Sequence, residues 1–218
     1  MHTSFASGMN FYKLFWVFFI GCFMGVIIET LWCLFRLRKI ESRKGLIYGP
    51  FNLVYGFGAL VMTLALSWAS NVRDLWILLI GTLIGGVYEY ICSVFQEKAF
   101  GSVSWDYKDF PLNINGRINF LYCIFWGILA LLWNKDLYPK MSTLIEMIPN
   151  KIGIALTWIC FVFIVLDSLI SAVAVYRMSE RTEGKPPRNS FWNYIDKRYP
   201  DEKVRRVYPN MRFKRIRM

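Results

Sequence analysis

Five long apolar runs, at roughly 12–35, 48–69, 75–97, 118–134 and 152–176, constrain this chain more than anything else in it. About 20 apolar residues suffice for one helical crossing of a bilayer. In lipid no water is at hand to satisfy backbone N–H and C=O groups, so runs of this kind must be helices. The first run is too long for the apolar core of a signal peptide and lacks a small-residue cleavage site, so it counts as a span. Composition points the same way: of 218 residues, 56% are hydrophobic and 19% charged. A soluble domain carries about 25% charged residues. Disordered, collagen-like and ordinary soluble-enzyme classes are therefore excluded. The expected fold is an all-α integral membrane protein with five transmembrane helices. The membrane domain covers 1–176, and a basic cytoplasmic tail covers 177–218.

Lysine and arginine set the orientation, because they are retained on the cytoplasmic side. With the N-terminus outside, only Lys13, Arg73, Lys135, Lys140 and Lys151 lie on the exterior, and the other 21 of the 26 lie inside. The reverse orientation would place those 21 outside, so the expected topology is N-out, C-in. The outer connection 135–151 reads as a short helix on the membrane surface, since Met141, Leu144, Ile145 and Ile148 recur at helical spacing. The cytoplasmic connection 98–117 is polar and rich in turn formers.

Two stretches of the chain echo one another. IGCFMGVIIE from Ile20 to Glu29 and IGTLIGGVYE from Ile80 to Glu89 share I-G-x-x-x-G-x-x-x-E at an offset of 60. Pro50-Phe51-Asn52-Leu53 then answers Pro111-Leu112-Asn113-Ile114 at an offset of 61. These matches define a parallel repeat, about 12–69 and 75–134, with the fifth span 152–176 standing outside it. Gly21, Gly25 and Glu29 fall on one helix face, as do Gly81, Gly85 and Glu89. Small residues at that spacing let backbones approach closely, so the two repeats are expected to pack through these faces and bring Glu29 and Glu89 together. Each acid lies about 10 Å from its cytoplasmic end at 1.5 Å per residue, and Asp167 lies at a comparable depth.

A carboxylate at the centre of a membrane helix costs at least about 2.5 kcal/mol and is by default a functional candidate. One reading is structural, with Arg43, Lys44 or Arg117 neutralising the acids. The other is a polar cavity open to the cytoplasm that binds a cation, carries a proton or recognises a cationic substrate, the two carboxylates sharing a proton. Tyr48, Asn52, Tyr55 and Asn113 would supply hydrogen bonds. Gly45, Gly49, Pro50, Gly56 and Gly58 mark a flexible entry to the second span, where transporters place broken helices. Asp106 either caps the turn before Pro111 or pairs with Arg117. Glu97, beside Lys98 at the end of the third span, is expected in solvent.

Other chemistries lack their residues. The single histidine is His2, so no His-based triad, zinc site or haem pocket is available. Cys22, Cys33, Cys92, Cys123 and Cys160 all lie in apolar runs with no CxxC, which indicates packed thiols. There is no GxxxxGK[ST], so ATP does not bind here through a P-loop. The tail from Arg177 onward carries 13 basic and 5 acidic residues with interleaved aromatics. Contact with anionic lipid ranks first for it, a docking protein second and nucleic acid last.

RKGLIYGPFNLVYGFGAL from Arg43 to Leu60 and WDYKDFPLNINGRI from Trp105 to Ile118 resemble the CmpB-like bacterial membrane proteins described as ABC-transporter type IV permeases. The resemblance spans roughly 12–135. Glu29 and Glu89 fit that family's intramembrane acids, and Lys108 and Asn115 depart from its loop pattern. It implies a helical bundle in a bacterial cytoplasmic membrane acting as a transport permease, with a separate ATPase subunit docking on 98–117. A homodimer is the natural assembly, since five helices enclose little. Two other classes stand behind it. One is an intramembrane enzyme acting on a lipid or isoprenoid phosphate, with the paired carboxylates as acid and base or as metal ligands and with Arg43 and Arg117 on the phosphate. The other is a scaffold or sensor acting through its tail.

Overall fold

A computed structural model describes residues 4–69 and 72–213. Helix α1 (Phe11–Leu37) begins at Asn10, whose side chain accepts the Lys13 amide, and stops at Arg38, which takes a left-handed conformation. Helix α2 is Leu53–Leu66 and α3 is Asp74–Phe100, closed by Gly101 at φ 60°. A short connection follows, with β1 (Ser102–Val103), β2 (Asn113–Ile114) and β3 (Ile118–Asn119). Helix α4 (Phe120–Leu132) runs through a π-helical turn at Trp133–Leu137 into α5 (Tyr138–Glu146). Helix α6 (Asn150–Thr182) is followed by α7 (Ser190–Arg198), α8 (Asp201–Val207) and β4 (Arg212–Phe213).

Four of the five apolar runs form helices long and apolar enough to cross a membrane: Phe11–Arg36, Asp74–Phe100, Phe120–Glu146 and Asn150–Thr182. The run at 48–69 does not. Its helix, Leu53–Leu66, has 14 residues, which is about 21 Å at 1.5 Å per residue against a hydrocarbon core of about 30 Å. The reason is local: Pro50 drives Gly49 to an extended backbone, and Asn52, itself extended, caps the helix so that it starts at Leu53.

The non-helical entry at 45–52 is tolerated because its amides are all but fully satisfied inside the protein. Gly45 and Leu46 N–H donate to the Phe51 carbonyl (2.8 and 3.1 Å), and Asn52 N–H donates to Cys22 O (3.0 Å). Ile47 N–H donates to Ser171 Oγ (2.9 Å). Tyr48 and Gly49 N–H donate to the Asp167 carboxylate at 3.1 and 2.8 Å.

The segment 135–151 also departs from the sequence reading. It does not form a separate surface helix but continues the fourth run to Glu146. Ile145, 1% exposed, packs against Phe5, Ala6 and Val17, and buried Lys13 of α1 reaches Glu146 and Ser142. These contacts hold α5 on α1 through Ile145 and Glu146, while Leu144 on the same stripe stays exposed. Trp16 Nε1 donates to Thr157 Oγ1 at 2.9 Å and Trp133 Nε1 to Thr63 Oγ1 at 3.0 Å, tying α1 to α6 and the π-turn to α2.

The tail folds. Ile195, Tyr199 and Val204 form a buried cluster with Ala174, Val175 and Met178 of α6 and Ile47 of the entry segment. Arg177, fully buried, is bracketed by Asp196 (2.7 Å) and Glu180 (2.9 Å). Strand β4 pairs antiparallel with β1.

Candidate functional site

The small-residue faces pack within each helix pair, not between the pairs as the sequence pattern suggested. A Cβ on Gly21 would lie 2.8 Å from Ala59 Cβ, and one on Gly25 2.2 Å from Tyr55 Cγ. In the second pair, a Cβ on Gly81 would lie 2.2 Å from Ala130 Cβ, and one on Gly85 2.3 Å from Trp126 Cβ. Tyr55-Gly56-x-x-Ala59 of α2 thus does for α1 what Trp126-Gly127-x-x-Ala130 of α4 does for α3. Glycine lets the partner helix come close enough for an aromatic donor to sit over it. One turn further along each first helix comes the acid.

Each acid has an aromatic side chain from the second helix of its pair beside it. Trp126 Nε1 donates to Glu89 Oε2 at 3.1 Å, and the Tyr55 phenol is turned to the Glu29 carboxylate. A second phenol comes from the connection between α3 and α4: Tyr107 donates to Glu89 Oε1 at 2.9 Å. Tyr107 also lies close enough to interact electrostatically with Tyr55 and Glu29. Glu29 and Tyr55 of one pair and Glu89 and Trp126 of the other therefore gather about Tyr107, at the end of the bundle where the connection between α3 and α4 lies. Burial, then the neighbouring Glu89 carboxylate, pushes the Tyr107 phenol above the usual range, so it remains a proton donor.

Cations are shared unequally. Arg43 Nη1 lies 4.0 Å from Glu29, at the limit of an ion pair, while its other amine meets Glu41 (3.6 Å) and Cys33 Sγ (3.1 Å). Among the described residues, no Lys or Arg forms an ion pair with Glu89. Arg117, the sequence candidate for that role, instead pairs with Glu97 and donates to Ser93 Oγ at 3.0 Å. Glu97 is thus half-buried and paired, where the sequence suggested a free, solvated acid. Arg117 is turned toward α3 because its carbonyl is fixed by Trp105 Nε1 at 2.9 Å, and a guanidinium beside a partly dehydrated carboxylate is held by charge-assisted bonds.

Of the other sequence candidates, Asn52 caps α2, accepting the Val54 amide at 3.1 Å, and donates to the Arg43 carbonyl at 3.1 Å. Its counterpart is Asn119, not Asn113: Asn119 caps α4, accepting the Leu121 amide at 2.9 Å, and donates to the Pro111 carbonyl. The Pro-x-Asn match pointed elsewhere because the second pair carries a longer connection between proline and helix. Asn113 donates to Phe110 O at 2.7 Å and accepts the Gly116 amide at 2.9 Å. Asp106 accepts the Lys108 amide at 3.1 Å, an Asx turn and not a partner of Arg117. Gly116 is required there, with φ 68° and Asp106 Oδ1 only 2.5 Å from where its Cβ would be. The W-D-Y…N-x-x-G-R motif is therefore a folded turn that carries Tyr107 to Glu89.

Asp167, 1% exposed, is occupied by the amides of Tyr48 and Gly49, and Tyr48 places its hydroxyl 2.7 Å from that of Tyr199. Neither makes a hydrogen bond or ion pair with the glutamates. Sequence reasoning missed Tyr107, Trp126 and Asn119. The aromatic-G-x-x-A echo between 55–59 and 126–130 was the available signal for Trp126.

Among the described residues, no three His, Cys, Asp or Glu side chains converge as metal ligands. A cation at Glu89 would rest on its carboxylate and the Tyr107 oxygen. Two clefts, of about 580 and 510 Å³, lie at the opposite end of the bundle; one is lined by Ser4 and 146–152, the other by Thr63, Asp74, Ile77 and Trp133.

Fold and cluster together define a multi-pass membrane protein in which two similarly packed helix pairs each carry an acid under an aromatic donor. The chain belongs to the family described as "Putative ABC-transporter type IV", whose profile matches residues 16–172. The match takes in both helix pairs, the entry segment and most of α6, and leaves the tail outside. No curated protein and no solved structure matches the chain.

Proposed function

We propose that this protein is the membrane-embedded permease subunit of a bacterial transporter, oriented N-out and C-in in the cytoplasmic membrane. Its helix pairs α1–α2 and α3–α4 are parallel repeats, with α2 and its extended entry making the fifth crossing. The pairs meet at a cytoplasm-facing acidic site that takes a proton, a metal cation or a cationic substrate. One observation carries the reading: Glu89 is held by two neutral donors, Tyr107 and Trp126, and by no described cation. A structural acid in lipid is expected to be neutralised by a base, whereas an acid awaiting a positive ligand must lack one. The folded turn around Tyr107 is the natural docking surface for a separate ATPase, since movement there would reach Glu89 directly. A homodimer completes the enclosure.

The intramembrane-enzyme reading fares less well, because Arg117, which it needs for a phosphate, is engaged by Glu97 and Ser93. The test is flux of protons and of metal and organic cations into proteoliposomes. The full chain would be purified with whatever nucleotide-binding subunit accompanies it. Glu89→Gln and Glu29→Gln are expected to abolish flux in folded protein, and Tyr107→Phe to reduce it. Equal flux in wild type and both glutamine variants would refute the acidic site. Absence of any accompanying ATPase would refute the permease assignment.

A further inference from the structure

The helix pairs leave the tail unexplained, and the tail is not a loose basic strand. Helix α7 is pinned against the last turns of α6, whose 33 residues run about 50 Å at 1.5 Å per residue, past a hydrocarbon core of about 30 Å. Its Tyr199 end meets Tyr48 at 2.7 Å, its Trp192 ring lies 5.9 Å from Tyr176 of α6, and Ile195 is buried against Ala174, Val175 and Met178. The face turned away from these contacts carries Phe191, Tyr194 and Arg198 at i, i+3 and i+7, and the two rings are 55% and 61% exposed. Tyrosine and other aromatics are favoured at a membrane–water boundary.

Charge completes the surface. Three of the tail's arginines are paired internally: buried Arg177 and half-buried Arg181 with Asp196, and exposed Arg188 with Glu180. Lys197, Arg198, Arg205 and Arg206 are exposed, and among the described residues none of them has a carboxylate within ion-pair distance. Unpaired bases beside exposed rings at the bilayer boundary match the two requirements of an interfacial helix: apolar insertion and attraction to anionic headgroups.

We propose that the outer face of α7, with the neighbouring bases of α8, is a docking surface for anionic phospholipid of the adjacent leaflet. This rests on the tail alone and is independent of the acidic site. It also gives lipid a route to the entry of α2. The docked unit is bolted to that entry by Tyr48–Tyr199, by Tyr208 Oη on Gly45 O (3.1 Å) and by Ser42 Oγ on Val207 O (2.9 Å).

The test uses the full chain in nanodiscs, with Cys92 and Cys160 changed to serine and a nitroxide on Tyr194→Cys. Discs of phosphatidylcholine alone are compared with discs containing phosphatidylglycerol. The label should gain oxygen contact and lose contact with a water-soluble nickel complex only in the anionic discs. The change should reverse in high salt, which needs no substitution that might unfold the tail. Each base near an anionic surface shifts such an equilibrium about fivefold. Joint Lys197→Glu, Arg198→Glu, Arg205→Glu and Arg206→Glu should therefore return the label to water. Equal accessibility in both discs would overturn the proposal. So would a label that stays in water in both and is covered only when a protein partner is added.

Discussion

Asp167 gives the sharpest test of how the entry to α2 is held. It is 1% exposed and accepts the amides of Tyr48 (3.1 Å) and Gly49 (2.8 Å), two donors that no helix satisfies. In Asp167→Ala both amides are stranded, at about 1–3 kcal/mol each for a buried donor left without a partner. The expected loss is therefore about 2–6 kcal/mol, or roughly 4–24 °C in Tm for a chain of this length. Asp167→Asn keeps one acceptor oxygen but turns an NH2 group toward the second amide, so it should lose about half as much. The assay is thermal unfolding in nanodiscs by tryptophan fluorescence, joined to amide exchange at 47–49. Exchange there should accelerate in the alanine variant while α3 and α4 stay protected. An alanine variant within about 1 kcal/mol of wild type, with unchanged exchange at 48 and 49, would refute the clamp. If transport were lost in such a variant, Asp167 would belong with the glutamates.

Other outcomes follow from the same contacts. Gly85→Leu forces a side chain where even a Cβ would lie 2.3 Å from Trp126; it should destabilise by about 1–3 kcal/mol or more, and an unfolding midpoint unchanged from wild type would show that α3 and α4 do not pack this way. Trp126→Phe keeps the ring and removes the donor to Glu89; proton or cation flux should fall with little loss of stability, and equal loss of both would make the bond merely structural. The Asp196 carboxyl is held below the usual range by the bond from Arg177, against the cost of burial. Its contribution is present above the ordinary Asp value of about 3.9 and is lost as pH falls through the lower folded value. Amide protection of α7 should thus decline in acid, and Asp196→Asn should weaken that dependence, Glu180 on the same Arg177 supplying the remainder.

Much of this protein was legible in order along the chain. The spans at 12–35, 75–97 and 152–176 needed only apolar length, and the pairing of 20–29 with 80–89 needed only an offset. The resemblance found from the Arg43 and Trp105 motifs agreed with the family that matches 16–172. The misreadings came where one dimension is not enough. A glycine face announces a close neighbour without saying which one, and here it is the second helix of the same pair. Glu97 looked solvated beside Lys98, but Arg117 returns to it from 20 residues away. The 48–69 run is apolar enough to read as a span, yet its first amides are bonded to Asp167 and its helix starts only after the Asn52 cap.

Lipid solvation makes the difference between the two levels. A bilayer penalises every unbonded backbone group and every charge, and that penalty falls residue by residue, so apolar length and the placement of Lys and Arg determine helices and class without any tertiary contact. Which acid meets which donor depends on side chains brought together from distant positions. Tyr107 reaches Glu89 across 18 residues and Trp126 across 37, and Tyr199 reaches Tyr48 across 151. Those meetings depend on packing angles and on a folded turn, which no periodicity encodes, and only the tertiary structure decided them.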